Sequence, residues 1–296
     1  MEPAQTEPQW TIAKVLSFAA ADFGKRGLEA PRLEAELLLG HELQMSRMQL
    51  LLDANRPLKK DELARFRALI ERRRSGEPSA YILGKKEFYG REFRVDRRVL
   101  IPRPETETLV DVALARTRPR SLAGRALDVG TGSGAIAVTF ARERPTWQVT
   151  ALDKSEDALA VARDNALRLG AVWGFRLLQS DLFSALKPAE RFELIVSNPP
   201  YISREELTTL DKGILDFEPR MALDGGEDGL DFYRALVKGA PPHLTQGGVL
   251  AVEIGADQGP AVEELFKSAG FVDVELTRDY GRRDRVVSGK KPALKT

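Results

Sequence analysis

The spacing of apolar residues divides the chain before any motif is considered. From Trp10 they fall at Ile12, Val15, Leu16, Ala19, Ala20 and Phe23, one face of a helix. Gly27 is placed to end that helix. Pro31 opens a second, for which the pattern puts Leu33, Leu37 and Leu38 inward. A short third piece carries Met48, Leu50 and Leu51. Asp61 begins a fourth, with Leu63, Phe66, Leu69 and Ile70 on one side. Arg72, Arg73 and Arg74 lie at its C-terminal end, where cations complement the helix dipole. Residues 1–83 therefore read as a small all-helical domain whose first eight residues are expected to fray.

At Gly84 the period changes from helical to alternating. Phe88-Tyr89-Gly90 and Phe93-Arg94-Val95 predict a β-hairpin turning at Gly90, and Val99-Leu100-Ile101 reads as its continuation. Residues 84–103 are expected to be a hairpin linker. They hold seven Lys or Arg against three acids, a local excess read as a solvated face or, more sharply, as a docking surface. From Pro104, the first turn of a helix, strands and helices alternate. Strands are predicted at 126–129, 149–152, 175–178, 193–197 and 248–252. Val272–Leu276 and Arg285–Val287 form a closing antiparallel pair. This is the signature of an α/β fold: a mostly parallel sheet covered on both faces, over residues 104–296.

Composition narrows the chemistry. The chain has 296 residues, is 43% hydrophobic and 30% charged, and carries a net charge of +1, so no global field marks a nucleic-acid binder. It has no cysteine and only His41 and His243, which argues against thiolate or histidine metal sites, a cysteine nucleophile and a Ser-His-Asp triad. No apolar run approaches the roughly 18 residues that a membrane span needs. Residues 1–8 are polar and unlike a signal peptide. A cytoplasmic protein without a metal, monomeric by default, is the expectation.

The candidate chemistry sits at strand ends. Asn198-Pro199-Pro200-Tyr201 ends an apolar strand in two residues that cannot donate to a sheet ladder. The turn is stiff, and a carboxamide beside two proline carbonyls suits a substrate that brings an NH2 group. Gly130-Thr131-Gly132-Ser133-Gly134 joins a strand to a helix and lets a ligand approach the backbone. Asp153 follows Gly134 by 19 residues, at the next strand end, where an acid can take two ribose hydroxyls. Asp128, just before the glycine turn, suits a cationic cofactor tail better than a pyrophosphate. Asp181 could accept from an adenine NH2. These acids share the carboxyl edge of the sheet, where such folds bind ligands. A nicotinamide enzyme stays open on the generous match of Gly130-x-Gly132-x-x-Ala135 to a dinucleotide fingerprint.

Together, Asp128–Gly134, Asp153, Asp181 and Asn198–Tyr201 resemble the S-adenosylmethionine-dependent amino-methyltransferases. Within them the chain resembles the peptide chain release factor glutamine methyltransferases, the HemK/PrmC family. The strings that carry this are Tyr81–Gly84, Val99–Glu107, Glu218–Leu223, Val252–Gly255 and Asp284–Val287, in the family's order.

The resemblance implies a Rossmann-like methyltransferase sheet and a helical substrate-docking domain. It also implies S-adenosylmethionine as cofactor, and as substrate the glutamine of a Gly-Gly-Gln loop in a release factor, methylated on its amide nitrogen. Carried over, the cofactor residues are Asp128, Gly130, Thr131, Gly132, Ser133, Gly134, Asp153, Asp181, Leu182 and Asn198. Asn198, Pro199, Pro200 and Tyr201 would hold the substrate and serve catalysis, with Arg103 a further contact. Leu182 stands where some relatives carry an aromatic, so stacking on the adenine is not implied there. The alternatives are an adenine amino-methyltransferase acting on nucleic acid, for which the same proline-braced corner would suit a flipped base, the nicotinamide enzyme, and a non-catalytic docking module.

Overall fold

The structure is a computed structural model that describes residues 9–117, 122–210 and 212–293. The expectations for residues 1–8 lie outside the described residues. The chain forms two compact units, one of residues up to Gly84 together with 212–217, the other from Lys85 onward without that segment.

The first unit holds α1 (Ile12–Lys25), α2 (Pro31–Leu43), α3 (Arg47–Leu52), α4 (Lys60–Arg74) and α5 (Ser79–Leu83). Thr11 caps α1, Gly27 follows it at a φ of 79°, and Pro31 occupies the first turn of α2. Ile12, Leu16, Phe23, Leu38, Leu39 and Phe66 are central to the unit's core. Two details of the sequence reading need correction. In α2 the buried face is Ala35, Leu38 and Leu39, while Leu33 and Leu37 are exposed. In α3 only Leu50 is buried, and Met48 and Leu51 face solvent. Runs of leucine fit several helical faces equally well, and only packing against α1 and α4 selects one.

The second unit opens with the antiparallel pair β1 (Lys85–Phe88) and β2 (Arg91–Arg94). Tyr89 and Gly90 both have positive φ, 51° and 67°, the two-residue turn whose twist matches a hairpin. The ladder stops at Arg94, so Val99-Leu100-Ile101 does not continue it, as expected from sequence, but runs as irregular chain. Ion pairs hold Lys85 to Glu92, Arg91 to Glu143, Arg94 to Asp164, Arg98 to Asp96 and Arg103 to Glu218. The apparent basic patch is therefore largely neutralised.

A short 3-10 turn at Pro104–Thr106 leads into α6 (Glu107–Arg116). Then come β3 (Arg125–Val129), α7 (Ala135–Glu143), β4 (Gln148–Asp153), α8 (Glu156–Arg168), β5 (Phe175–Gln179) and β6 (Phe192–Ser197). After β6 follow α9 (Arg204–Leu207), α10 (Lys212–Phe217, grouped with the first unit), α11 (Asp231–Gly239), β7 (Leu244–Glu253), α12 (Gly259–Ser268), β8 (Val272–Arg278) and β9 (Asp284–Lys290). The seven-stranded sheet has the order β5-β4-β3-β6-β7-β9-β8. All neighbours pair parallel except at β9, which runs against both β7 and β8. This is the α/β architecture expected from the alternation of strands and helices. Among the described residues, no helix is long and apolar enough to cross a membrane.

One feature of the order positions the site. The strand sequence reverses direction between β3 and β6, and ligands of open α/β sheets bind at such a switch point, beyond the carboxyl ends of the strands. Pairing aligns Val129 with Ser197, and the Ser197 hydroxyl donates to the Val129 carbonyl at 2.7 Å.

Candidate active site

The glycine turn begins where β3 ends. Gly130, Gly132 and Gly134 all have positive φ, the conformation that side chains with a Cβ resist. A Cβ added at Gly130 or Gly132 would meet nothing within 4 Å, because both face an open cavity. Thr131, Ser133 and Gly134 are buried beneath them. The turn's own amides are used internally. Gly130 and Thr131 donate to the Leu152 carbonyl at 2.9 and 2.8 Å, Gly132 to Asp153 Oδ2 at 2.8 Å, and Gly134 to the Thr131 carbonyl at 2.9 Å. An amide hydrogen already donated is not available to a phosphate, so these four amides do not form a phosphate cradle.

The three acids differ in their surroundings. Asp128 is buried; its Oδ2 accepts from the Thr131 hydroxyl at 2.7 Å, and its Oδ1 has no partner. Burial pushes its carboxyl up to about 7, opposed by the Thr131 hydrogen bond and the nearby Ala137 amide and helped by the charge of Asp153. Asp153 is half-buried, with Oδ2 on Gly132 and Oδ1 accepting from the Ser155 amide at 2.9 Å. Burial raises its pKa too, against the pull of those backbone donors. Asp181 is exposed and paired with the Lys154 ammonium at 2.8 Å. Leu182 beside it takes a positive φ of 49° and packs against the core.

A cavity of about 600 Å³ lies over this edge, within the range of small-molecule sites. Gly130, Gly132, Asp153, Asp181 and Leu182 wall one side. Ser197, Pro199 and Pro200 wall another, so one space touches both the glycine turn and the proline corner. Val99, Leu100 and Met221, which lie in the quoted strings but were not expected in the site, and Phe232 add apolar lining. Asn198 and Tyr201 are half-buried beside this wall rather than part of it, and the Asn198 Nδ2 donates to the Thr106 hydroxyl at 3.2 Å. Arg103 also lies off the wall. It donates to the buried carboxylate of Glu218 at 2.6 Å, and the Ile101 amide donates to the same carboxylate at 3.2 Å.

With this geometry in view, the comparisons with known proteins take on physical meaning. Residues 14–84 match the PrmC N-terminal domain and residues 107–215 the methyltransferase small domain. The chain is 45% identical over 281 residues to the release factor glutamine methyltransferase of Geobacter sulfurreducens, covering 95% of this chain and 97% of that one. The chain belongs to the release factor glutamine methyltransferase family. The Burkholderia pseudomallei member is 47% identical over 268 residues, 88% of this chain and 92% of its own. The crystal structure of a methyltransferase from Pyrococcus furiosus shares the fold, with a TM-score of 0.52 at 21% identity over 70% of this chain and 92% of that one.

The family's strings also gain reasons. The Ile101–Glu107 and Glu218–Leu223 strings meet through Glu218, as just described. Asn165 on α8 accepts from the Arg94 amide at 2.7 Å and donates to the Arg94 and Ser133 carbonyls, both at 2.9 Å, tying the hairpin to the glycine turn. Gln258 donates to the Tyr201 carbonyl at 2.9 Å and accepts from the Gly255 amide at 3.0 Å, bracing the proline corner from below. Gly225 donates to the Ile202 carbonyl at 2.8 Å, and a Cβ on it would lie 2.8 Å from the Tyr201 backbone. Close backbone approach explains Gly225 and Gly229, which periodicity could not reveal. Glu253, quoted in the Val252–Gly255 string but given no role, is a carboxylate inside the apolar run of β7.

Proposed function

We propose that this chain transfers a methyl group from S-adenosylmethionine to the side-chain amide nitrogen of the glutamine in the Gly-Gly-Gln motif of peptide chain release factors. One observation supports this above the rest: a single cavity is walled by both the glycine turn and the proline corner. A cofactor held at the first would lie next to an amide held at the second.

The residues fit a cationic adenosine cofactor. Two glycines leave its approach open, Asp153 would take the ribose hydroxyls, and Asp181 and Leu182 on the same wall would meet the adenine. The unpartnered Oδ1 of Asp128 is a buried acceptor beside the turn, suited to an ammonium donor. When bound, S-adenosylmethionine would supply a methyl group made electrophilic by its sulfonium, the sulfur–methyl bond giving way as the nitrogen–methyl bond forms and neutral S-adenosylhomocysteine being left.

The protein's own work in this reading is positioning. A carboxamide nitrogen is a poor nucleophile because its lone pair is delocalised, and no side-chain base at pH 7 can usefully remove its proton beforehand. The Asn198 Oδ1 and the Pro199 carbonyl each accept one N–H of the substrate amide. Two fixed acceptors turn the lone pair toward the methyl group and convert an encounter into a near-attack geometry. They bind best as the nitrogen becomes tetrahedral and its hydrogens more acidic, so the gain falls on the transition state. Pro200 keeps the corner rigid, Tyr201 packs beside the amide, and the proton leaves afterwards to water. Arg103 acts here through Glu218, by holding the 101–107 segment.

Mass spectrometry of a release factor incubated with the protein and S-adenosylmethionine tests the proposal. The expected product is one added methyl on the glutamine of the Gly-Gly-Gln peptide. Methyl transfer to DNA or RNA in parallel reactions, with the release factor unmodified, would refute it.

A further inference from the structure

Glu253 is buried at the C-terminal end of β7, and the mechanism above gives it no task. Its place is set by register. β6 and β7 run parallel with Ser197 opposite Val252, so Asn198 and Glu253 are the next residues along their strands, side by side at the sheet edge. The Asn198 Nδ2 donates to the Thr106 hydroxyl at 3.2 Å, and both side chains lie close enough to Glu253 to favour its ionised form. Its Oε2 has no partner. Among the described residues, no direct ion pair neutralises it. The charge of Arg285 on β9 acts on it, but the guanidinium is committed to Asp279 at 3.1 Å and to the Ile254 carbonyl at 3.0 Å. Glu105 in the 3-10 turn adds negative charge, and the Tyr201 and Tyr233 hydroxyls complete the titratable groups facing it.

We infer that Glu253 is a positioning residue: acting through Thr106, it fixes which end of the Asn198 carboxamide is offered to the substrate. The inference rests on the role given to Asn198 above. Its logic is a one-way chain of hydrogen bonds. A carboxylate can only accept, so the Thr106 hydrogen goes to Glu253. The Thr106 oxygen must then accept, and it takes the Asn198 NH2. With its NH2 end held, the Asn198 oxygen is fixed as the acceptor left over for an incoming amide. Protonated Glu253 breaks this order, because it can donate to Thr106, which is then free to donate to the Asn198 oxygen. Burial holds the Glu253 carboxyl up at about 7, with Thr106, Arg285 and Asn198 pulling it down and Glu105 pushing it up. The switch therefore falls near neutral pH.

The test is steady-state methyl transfer to a release factor at saturating S-adenosylmethionine, which removes cofactor affinity from the readout. The parent kcat should rise with pH and level off above about pH 7. Glu253→Gln, whose amide can donate as well as accept, should lower the plateau about tenfold or more, abolish the acidic limb and leave the release-factor KM within about threefold. Thr106→Val should do the same, and Thr106→Ser should restore the rate and the limb. Asn198→Ala combined with Glu253→Gln should be no slower than Asn198→Ala alone, since one acts through the other. Full kcat in both Glu253→Gln and Thr106→Val, an acidic limb that survives in them, or multiplicative losses in the double variant would overturn the inference. A slow Asn198→Ala alongside a normal Glu253→Gln would sink this inference alone. A normal Asn198→Ala would sink the reading of the corner with it.

Discussion

Replacing Asp128 by asparagine isolates the most perturbed acid at the glycine turn. The asparagine oxygen can still accept from Thr131, but the side chain never ionises. Burial raises the Asp128 pKa from 3.8 to about 7. Each unit corresponds to about 1.4 kcal/mol, so ionising this group in the folded chain costs on the order of 4 kcal/mol. The folded chain keeps the proton to higher pH than the unfolded chain does. The group's contribution to stability is therefore fully present below about pH 4 and is lost as pH rises through about 7. Between pH 5 and pH 8, about two units of that interval are traversed. The unfolding free energy of Asp128→Asn minus that of the parent should rise by about 3 kcal/mol over this span. Urea titrations followed by fluorescence of Trp147, buried in the same unit's core, would measure it. In the parent, saturating S-adenosylmethionine should flatten the pH dependence, because a cation beside Oδ1 favours the charged form, whereas the variant should bind the cofactor about tenfold or more weakly at pH 8. A stability difference that stays flat with pH would refute the argument, since it would mean that the carboxylate carries its charge without penalty.

Three other outcomes are expected. Asn198→Ala should lower turnover by about two orders of magnitude, the scale of losing a positioned polar group, while calorimetric cofactor affinity changes by less than about threefold; near-normal turnover would remove Asn198 from the mechanism. Asp153→Ala, which also frees the Gly132 and Ser155 amides, should weaken cofactor binding about tenfold or more by calorimetry with the fold kept by circular dichroism; unchanged affinity would exclude Asp153 from the site. Gly225→Ala sets a methyl 2.8 Å from the Tyr201 backbone, so it should cost about 1–3 kcal/mol of stability and slow turnover more than it weakens cofactor binding. Unaltered kinetics would show that the 225–229 loop does not hold the corner.

Much of the fold was legible because its signals are local. A strand that stops at Asn198 before two prolines, a glycine turn at a strand end and an acid closing the next strand all follow from backbone restrictions on single residues. The helical faces of α1 and α4 could be read from spacing, whereas those of α2 and α3 could not, because their leucines leave the face ambiguous. The hairpin turn at Tyr89-Gly90 was legible, but its length was not. Val99-Leu100-Ile101 has strand character, yet after Arg94 it leaves the ladder, and Val99 and Leu100 wall the cavity instead. The positive charge of residues 85–103 is also a fact of sequence, whereas its cancellation needs Glu143, Asp164 and Glu218, which lie far along the chain.

The sequence by itself determined what the parts are: a glycine turn, a proline-braced amide and three carboxylates at strand ends, each shaped by its immediate neighbours. Only the tertiary structure decided that they form one place. The pairing of β3 with β6 brings Val129 beside Ser197 and so joins two loops 68 residues apart over a common cavity. The pairing of β6 with β7 sets Glu253 next to Asn198 in the same way. Strand register and burial are properties of the whole packed sheet, and a residue's hydrogen-bond partners and proton affinity follow from them rather than from its place in the string.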